Sequence, residues 1–322
     1  MKYSLFNNHS DQLSEYLSEN NFYPQYKIIN KLYYFFARPV LPKKIRQYIQ
    51  KIVSKNIKFS ENFILSEFVD YIKNNIENID IIINEIYPDN NNSAIVLTHD
   101  VETEKGMSFI SEVIKLESKY GFKSSWNIVP NKYKINEDII RFITDSGHEI
   151  GIHGCKHDGK LYYSKNIFDK RVPYINEALK KYNAVGFRSP MAHRNLEWLQ
   201  KLDILYDASC FDYDPFQPFP GGTGSIWPFK AGKLIELPYT IPQDHVLFYT
   251  LRKKDISIWK NKADWVAKNH GVILTLTHPD YLMEKDHLKL YEEFLAYLSE
   301  MKNAWHCLPK ELAEYWKKKF ED

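Results

Sequence analysis

Cysteine is scarce in this sequence, and its few cysteines form no pattern. Only Cys155, Cys210 and Cys307 occur among the 322 residues, and no two of them make a CxxC pair. An odd number of widely separated cysteines argues against a disulfide framework. The sequence therefore predicts a protein of a reducing compartment.

Long apolar runs are absent as well. The opening residues, MKYSLFNNHSDQLSEYL, lack the apolar core of a signal peptide. Nowhere does a run reach the roughly 18 apolar residues typical of a membrane-spanning helix. We therefore expect a cytoplasmic protein that binds at most peripherally to the inner face of the membrane.

Neither sign of charge is in excess. The chain has 43 Lys and Arg against 41 Asp and Glu, a formal net charge of +2, whereas proteins that bind nucleic acid by neutralising phosphates are strongly basic. Because 44% of the residues are hydrophobic, the chain can bury one large core, with or without a small accessory region. The composition predicts an ordinary globular protein without a nucleic-acid partner.

Residues 1–90 have the pattern of a helical extension. An aromatic-rich run at 32–36 is interrupted by RPVLP, after which KKIRQYIQKIVSKNIK places apolar residues on one helical face and lysines opposite. Such a helix can lie on a membrane surface or pack against its own domain, and the sequence leaves both open. The polar turn at 87–93 predicts the boundary to a second domain at 91–322.

The pattern after this turn alternates between strand and helix. Apolar, strand-like runs are found at 94–98, 125–129, 149–153, 184–188 and 272–277, with helical stretches between several of them. Alternation of this kind is typical of a parallel α/β fold, and a chain of this length can close it into a barrel. In such folds the active site lies at the carboxyl ends of the strands.

Three polar residues stand at such strand ends. Asp100 follows the first run, His153 ends the third, and His157 comes four residues later. Two imidazoles at this spacing can converge on one divalent ion, and together with a carboxylate they outline a hydrolytic zinc site. The residues alone thus indicate metal-dependent hydrolysis at Asp100, His153 and His157.

The segment around the two histidines, GHEIGIHGCKHDG, resembles the GHEIGNHTxxHP signature of the polysaccharide deacetylases of the NodB-homology type. The resemblance extends from residue 94 to residue 316 through five ordered partial signatures. It implies a distorted (β/α) barrel, preceded here by the N-terminal helical extension. It also implies that His153 and His157 are ligands of a divalent metal, with Zn²⁺ as the expected ion.

The first family signature, TFDDG, is represented by THDVE at 98–102. The resemblance implies that Asp100 is the catalytic base, but Val101 occupies the place of the second Asp, which is the family's metal ligand. Either Glu102 supplies the carboxylate, or Asp100 is itself the ligand and the base lies elsewhere. Strand alternation favours Glu102, because an extended backbone puts Asp100 and Glu102 on the same side.

Two further signatures supply an arginine and an aspartate. Arg188 and Pro190 in GFRSP match RxPY, whose Arg orients the catalytic Asp, and Asp207 in LYDAS matches a strand that often reads YDSS in the family. The last signature is an apolar strand that ends in His278. The resemblance implies that His278 is the general acid that protonates the leaving amine, with Asp207 as a candidate to tune it.

Loops around the strand ends supply candidates for substrate contact. Trp227 lies in a Gly-rich segment that can form one wall of a sugar site, and Asp244 and His245 follow a strand-like stretch. Pro190 adjoins the predicted catalytic arginine. We take Pro190, Trp227, Asp244 and His245 as the substrate-binding candidates.

The resemblance implies a metal-dependent hydrolase that removes an N-acetyl group from an amino sugar of a surface polysaccharide or its precursor. Two alternatives remain open at this point. One is a metal-independent hydrolase of another C–N amide on the same fold, because the second Asp is missing. The other is a catalytically inactive carbohydrate-binding protein of polysaccharide assembly. A carbohydrate is the expected partner in each case, and the N-terminal region is the expected site of any membrane contact.

Overall fold

The computed structural model describes residues 1–18, 32–42, 45, 63–217 and 221–320. Within these residues, ten strands form one sheet that is mostly parallel, and among them β1 and β8 each pair antiparallel with β7. The strands are β1 (Tyr3–Ser4), β2 (Ser93–Val101), β3 (Ser124–Ile128), β4 (Glu149–Ile152), β5 (Gly186–Phe187), β6 (Tyr206–Asp207), β7 (Phe229–Ala231), β8 (Leu234–Glu236), β9 (Val272–Leu274) and β10 (Ala304–His306).

Helices connect most of the parallel strands. They are α1 (Asp11–Leu17), α2 (Arg38–Val40), α3 (Ser66–Asn75), α4 (Ile79–Asn84), α5 (Glu104–Lys119), α6 (Glu137–Asp145), α7 (Lys165–Lys181), α8 (Leu196–Leu199), α9 (Ser257–Lys268), α10 (Pro279–Leu282), α11 (Lys285–Ser299) and α12 (Pro309–Phe320). A π-helical turn, Tyr33–Ala37, runs directly into α2. None of the helices in the described ranges is long and apolar enough to cross a membrane.

The long strand β2 is the centre of the sheet. Its sequence, SAIVLTHDV, is buried along its whole length, as expected of a strand that is covered on both faces. It pairs in parallel with β3 through Leu97 and Ser124, and with β9 through Ala94 and Val272. Because parallel strands end at the same edge, this pairing brings the residues that follow β2, β3 and β9 together.

Backbone hydrogen bonds close the sheet into an irregular ring. From β9 the order runs through β2, β3, β4, β5 and β6 to β8. After β8 the chain returns to β9, where the backbone amides of Thr240 and Ile241 both donate to the Leu274 carbonyl. The ring is irregular because β5 and β6 contribute only two residues each. The predicted α/β class and the distorted barrel are confirmed.

The described part of residues 1–90 shares the core of the barrel. Strand β1 pairs with β7, and the Phe6 ring contacts Trp227, Trp316 and Phe320, with ring centroids 5.5 to 5.7 Å apart. This region is therefore not helical throughout, since β1 and the turn after it belong to the sheet. The amphipathic helix predicted from KKIRQYIQKIVSKNIK lies outside the described residues, apart from Ile45.

Candidate active site

The carboxyl ends of four strands meet at one buried cluster of polar side chains. Asp100 lies near the end of β2, Glu102 follows it, His153 comes directly after β4, and Arg188 comes directly after β5. His278 follows β9 and precedes α10. The side chains of all five are buried or nearly so, and Glu102 is the most accessible at 24%.

Asp100 is held as a carboxylate by two donors. Asn127 Nδ2 lies 2.9 Å and Arg188 Nη1 3.2 Å from Asp100 Oδ1, and His153 Nε2 lies 3.6 Å from Oδ2. Burial by itself would raise the pKa of Asp100, but attraction to the protonated form of His153 and to the permanent charge of Arg188 outweighs it and lowers the pKa below its ordinary value. Asp100 can therefore accept a proton at neutral pH.

Asn127 was not singled out by the sequence. It lies in β3 and faces Asp100, and Gly151 on β4 makes room for it, because a Cβ at Gly151 would lie 2.0 Å from the Asn127 oxygen. The signal available was a polar residue between Trp126 and Ile128 in a strand that is buried throughout. It becomes informative only when the pairing of β2, β3 and β4 is known.

Arg188 is fixed on three sides. Its Nε donates to the Ala208 carbonyl at 2.7 Å, and its Nη1 donates to Thr98 Oγ1 at 2.8 Å as well as to Asp100. The remaining nitrogen, Nη2, is buried and has no hydrogen-bond partner within the described residues. The guanidinium therefore has little freedom to turn away from Asp100.

Glu102, His153 and His157 form a cluster with the composition of a metal site. One ligand atom from each residue lies within 4.8 Å of the other two. Among the described residues, this is the group of three His, Cys, Asp or Glu side chains that could hold a metal ion. Two imidazoles and one carboxylate with an open side are a typical catalytic zinc set. Asp100 is outside this group, and its bonds to Arg188 and Asn127 favour the role of base over that of ligand.

The two histidines are oriented for binding. His153 Nδ1 lies 3.0 Å from the Arg188 carbonyl, so it carries the proton there and leaves the Nε2 lone pair facing the cluster. Burial lowers the pKa of His153 to about 4, which keeps the ring neutral. His157 Nε2 is buried and lies 2.8 Å from Glu102 Oε1. Two ligands that face a common ion have this arrangement, so the residues fit a divalent metal.

The backbone around the cluster adopts unusual conformations. His157 has φ of 50°, and Met191 and Ala192, which follow Pro190, have φ of 62° and 51°. Gly154 also has positive φ, and a Cβ there would lie 2.5 Å from Pro190 Cγ. Left-handed conformations at non-glycine residues cost free energy and are often found at functional sites. Pro190 thus buttresses the loop that carries His157, and it is itself buried.

His278 is bonded to Asp244 at two points. His278 Nδ1 lies 2.7 Å from Asp244 Oδ1, and the His278 backbone amide donates to Oδ2, also at 2.7 Å. Burial would lower the pKa of His278, but the Asp244 carboxylate raises it to about 9. The ring is therefore protonated at neutral pH, and its Nε2 faces the site, 3.8 Å from Glu102 Oε1.

Two predicted roles are corrected by these contacts. Asp244, a substrate-binding candidate from the sequence, is fully buried and holds His278, so it is a positioning residue. Asp207, the candidate for tuning the acid, is instead bonded to Ser209 and paired with the Glu236 carboxyl in the core. The sequence carries no local signal for this contact, because Asp244 is 34 residues before His278 and only the fold brings the two together.

The structure places the other two loop candidates differently. Trp227 is fully buried, donates from Nε1 to the His270 carbonyl at 2.8 Å and packs on Phe6, so it is a core residue and does not line the site. His245 is half-buried and its ring contacts Tyr281, which in turn contacts His278. His245 therefore lies at the rim, one aromatic ring away from the proposed acid.

His99, which stands where the family signature has Phe, belongs to a buried polar network. His99 Nε2 lies 2.7 Å from Glu117 Oε1 and its Nδ1 lies 2.7 Å from Thr277 Oγ1. Glu117 also accepts from Ser124 and Tyr291, so it is fully satisfied. The network ties the end of β2 to the segment before His278. It therefore helps to maintain the distance between Asp100 and His278.

Glu102→Gln gives a direct test of the carboxylate that the first signature lacks. We expect weaker metal binding, because an amide oxygen is a poorer ligand than a carboxylate and the buried His157 loses its anionic neighbour. Metal affinity and turnover are to be measured separately, with Glu104→Gln at the start of α5 as the control. Unchanged affinity and rate in Glu102→Gln would place this residue outside the site.

Comparison with known proteins agrees with the motifs. The sequence profile of the polysaccharide deacetylase family, described as "Polysaccharide deacetylase", matches residues 88–204. A peptidoglycan deacetylase of Helicobacter pylori is 22% identical over 243 residues, which are 64% of this chain and 82% of that protein.

Solved structures show the same fold. A Mycobacterium smegmatis protein, named among the polysaccharide deacetylases, superimposes with a TM-score of 0.59 at 18% identity over 72% of this chain and 92% of the other. A Pseudomonas aeruginosa protein of the same naming has a TM-score of 0.57 at 13% identity over 72% and 93%. At these identities the likeness concerns the fold alone. The profile match covers the strand ends that carry Asp100, His153 and Arg188, so this part of the chain is similar to the polysaccharide deacetylases, and the matches support a deacetylase hydrolase.

Proposed function

We propose that this protein is a metal-dependent hydrolase that removes an N-acetyl group from an amino sugar of a surface polysaccharide or its precursor. One observation carries the proposal: the Glu102–His153–His157 cluster lies between an anionic group and a cationic one. Asp100 is 3.6 Å from His153 on one side, and His278 is 3.8 Å from Glu102 on the other. Amide hydrolysis needs a proton acceptor and a proton donor on either side of the electrophile.

Glu102, His153 and His157 would hold the ion. A divalent metal, Zn²⁺ in our proposal, would polarise the acetamide carbonyl and lower the pKa of water in the site. The protein contributes the neutral state of His153, which burial maintains, and a carboxylate at Glu102. The tight packing of these ligands leaves the more accessible Glu102 side open to the substrate.

Asp100 would take the proton from the attacking water. Its lowered pKa keeps it ionised, and Arg188 and Asn127 both donate to the same oxygen, Oδ1. The other oxygen, Oδ2, is then available on the side of His153. Arg188 and Asn127 are positioning residues in this scheme, since they orient Asp100 and do not themselves transfer protons.

His278 would give a proton to the departing amine. It is protonated at neutral pH, and Asp244 fixes both its ring and its backbone amide. Only Nε2 of the ring remains to face the substrate. An acid and a base whose environments separate their pKa values are the usual sign of paired acid–base catalysis.

The amino-sugar substrate and the cellular location are also part of the proposal. The peptidoglycan deacetylase of H. pylori supports a carbohydrate amide as substrate. We propose a cytoplasmic location, for which the support is that Cys155, Cys210 and Cys307 are all buried free thiols. A precursor sugar is the substrate that fits this location.

His153→Ala and His157→Ala test the metal site. We expect each variant to fold but to lose metal by more than the about 10–100-fold typical for residues that only hydrogen-bond to a ligand, and to lose acetate release with it. Metal content is to be measured on purified protein, with His9→Ala as a control because His9 lies at the exposed surface, where its ring bonds to the Tyr3 carbonyl.

Three outcomes would contradict the proposal. Full metal retention in both variants would remove the assigned ligands. Acetate release by wild-type protein that binds no metal after zinc supplementation would instead establish the metal-independent hydrolase. If wild-type protein binds the sugar but neither metal nor turnover can be detected, it is a binding protein.

A further inference from the structure

Three aromatic side chains lie against the proposed general acid. The centroid of the Tyr281 ring is 4.8 Å from that of the His278 ring, and the His245 and Tyr249 rings lie 5.7 and 5.1 Å from Tyr281. These rings are not stacked face to face, since the planes of each pair meet at 46° to 65°. Each of the three residues is half-buried. We call His245, Tyr249 and Tyr281 the aromatic platform.

Local backbone structure places the platform beside the acid. Tyr281 belongs to α10, and its backbone amide donates to the His278 carbonyl at 2.9 Å. The other two platform residues are the N-cap and the fourth residue of a π-helical turn, Val246–Thr250. Such turns are rare and are frequently found at functional sites. Asp244, which holds His278, comes directly before this N-cap. One segment therefore both positions the acid and presents aromatic rings next to it.

A further layer of side chains fixes the platform from behind. The His287 ring of α11 stacks on Phe248 at 4.1 Å with the planes 8° apart, and its Nδ1 lies 3.1 Å from the Tyr281 carbonyl. The Tyr249 ring meets the same histidine edge to face at 5.4 Å. Side chains that are already held lose little conformational freedom when a ligand binds, and this favours affinity. The platform is therefore preformed.

Polar groups at the platform have the chemistry that recognises hydroxyls. The Tyr249 hydroxyl donates to Glu284 Oε1 at 2.6 Å, and the Glu284 side chain is 59% exposed. A carboxylate accepts several hydrogen bonds, so Glu284 can accept from a ligand while it keeps Tyr249. Aromatic rings with a few polar groups that fix orientation are typical of small-molecule sites. A sugar ring offers both complements, because it has a C–H face and a rim of hydroxyls.

We propose that the aromatic platform binds the sugar ring that carries the departing amine, so that the enzyme selects cyclic amino sugars over open-chain amides. This inference rests on the proposed function. A general acid must lie within hydrogen-bond reach of the departing nitrogen, and the sugar is bonded directly to that nitrogen. The sugar must therefore lie close to His278, where Tyr281 offers an aromatic surface. The C–H face of the sugar would pack on this surface because both are apolar.

Kinetics of Tyr281→Leu test the platform in the full chain. We expect the KM for the N-acetylglucosamine tetramer to rise at least about tenfold, with a smaller change in kcat, because the lost contact serves binding. Tyr249→Leu should give a smaller rise, and Tyr281→Phe, which keeps the ring, should stay within about twofold of wild type. Tyr174→Leu is the matched control, because Tyr174 is 57% exposed on the surface of α7.

Three kinetic results would overturn the inference. The first is a KM in Tyr281→Leu equal to that of Tyr174→Leu. The second is a rise in Tyr281→Phe as large as in Tyr281→Leu, since the hydroxyl and not the ring would then bind the sugar. The third is a fall in kcat with unchanged KM, which would make Tyr281 a support for His278 alone.

A second substrate separates recognition of the sugar from the chemistry. N-Acetylethanolamine has the same amide and a neighbouring hydroxyl but no ring. The preference in kcat/KM for the tetramer over this compound should fall about tenfold in Tyr281→Leu. A wild-type preference in the variant, with both compounds hydrolysed, would overturn the inference and leave the proposed function standing.

Calorimetric binding of the tetramer gives a readout that does not depend on turnover. If the wild-type protein hydrolyses neither compound, the proposed function fails. Tetramer binding that is then present in the wild type and lost in Tyr281→Leu would still support the sugar site. Equal binding by the two proteins would overturn it.

Discussion

Asp100→Asn is expected to lower turnover by about 10²–10⁴-fold, the range that a general base contributes. The amide has nearly the same shape, so it keeps the Asn127 contact but cannot take a proton. Bound metal should change little, because the cluster of Glu102, His153 and His157 does not include Asp100. The measurement is acetate release at saturating substrate together with metal content.

The pH dependence adds a second check on Asp100. Its pKa lies below the ordinary 3.8, so the base is already ionised at neutral pH and its titration should not limit the rate there. Asp138→Asn is the control, because Asp138 also pairs with an arginine but does so at the exposed surface. Near-normal turnover in Asp100→Asn would require the base to be sought elsewhere, and metal loss would return Asp100 to the ligands.

His278→Ala should also slow turnover by about 10²–10⁴-fold while metal and substrate still bind. The general acid must be protonated, so activity should fall as the pH rises through the His278 pKa of about 9. This basic limb should disappear in His278→Ala. The pH–rate profile of both proteins is the measurement.

Asp244→Asn should move the same limb without removing the acid. The Asp244 carboxylate is what raises the His278 pKa against the effect of burial. With a neutral amide in its place, burial dominates and the limb should shift to lower pH. A limb that stays in position would show that Asp244 does not tune His278. A near-normal rate in His278→Ala would make His245, at the rim, the next residue to examine.

Much of this site could be predicted because strand ends are visible in the sequence. The apolar run AIVLT and the histidine that follows EIGI both indicate buried parallel strands. In such a fold, residues after the strands must converge. The structure places Asp100, His153, Arg188 and His278 at one site for this reason. It also places Glu102 beside His157. This agrees with the strand alternation that puts Glu102 on the same side as Asp100.

The missed or misassigned residues depend on contacts that no local pattern encodes. Asn127 and Gly151 fit together only because β3 lies between β2 and β4. Asp244 meets His278 because the chain after β8 returns to β9. Trp227 was placed in a loop by its Gly-rich surroundings, but the fold buries it under the N-terminal residues. Each case requires a long-range neighbour that only the tertiary structure supplies.

The contact of Phe6 with Trp316 and Phe320 has a consequence for how the protein folds during synthesis. These side chains pack in one cluster although about 310 residues separate them along the chain. Strand β1 likewise cannot join the sheet until β7 has left the ribosome. Until then, the apolar surface that β1 and α12 cover in the finished barrel is exposed to solvent. Contacts between residues this far apart in the sequence predict slow closure of the barrel, with apolar surface exposed until α12 has been made.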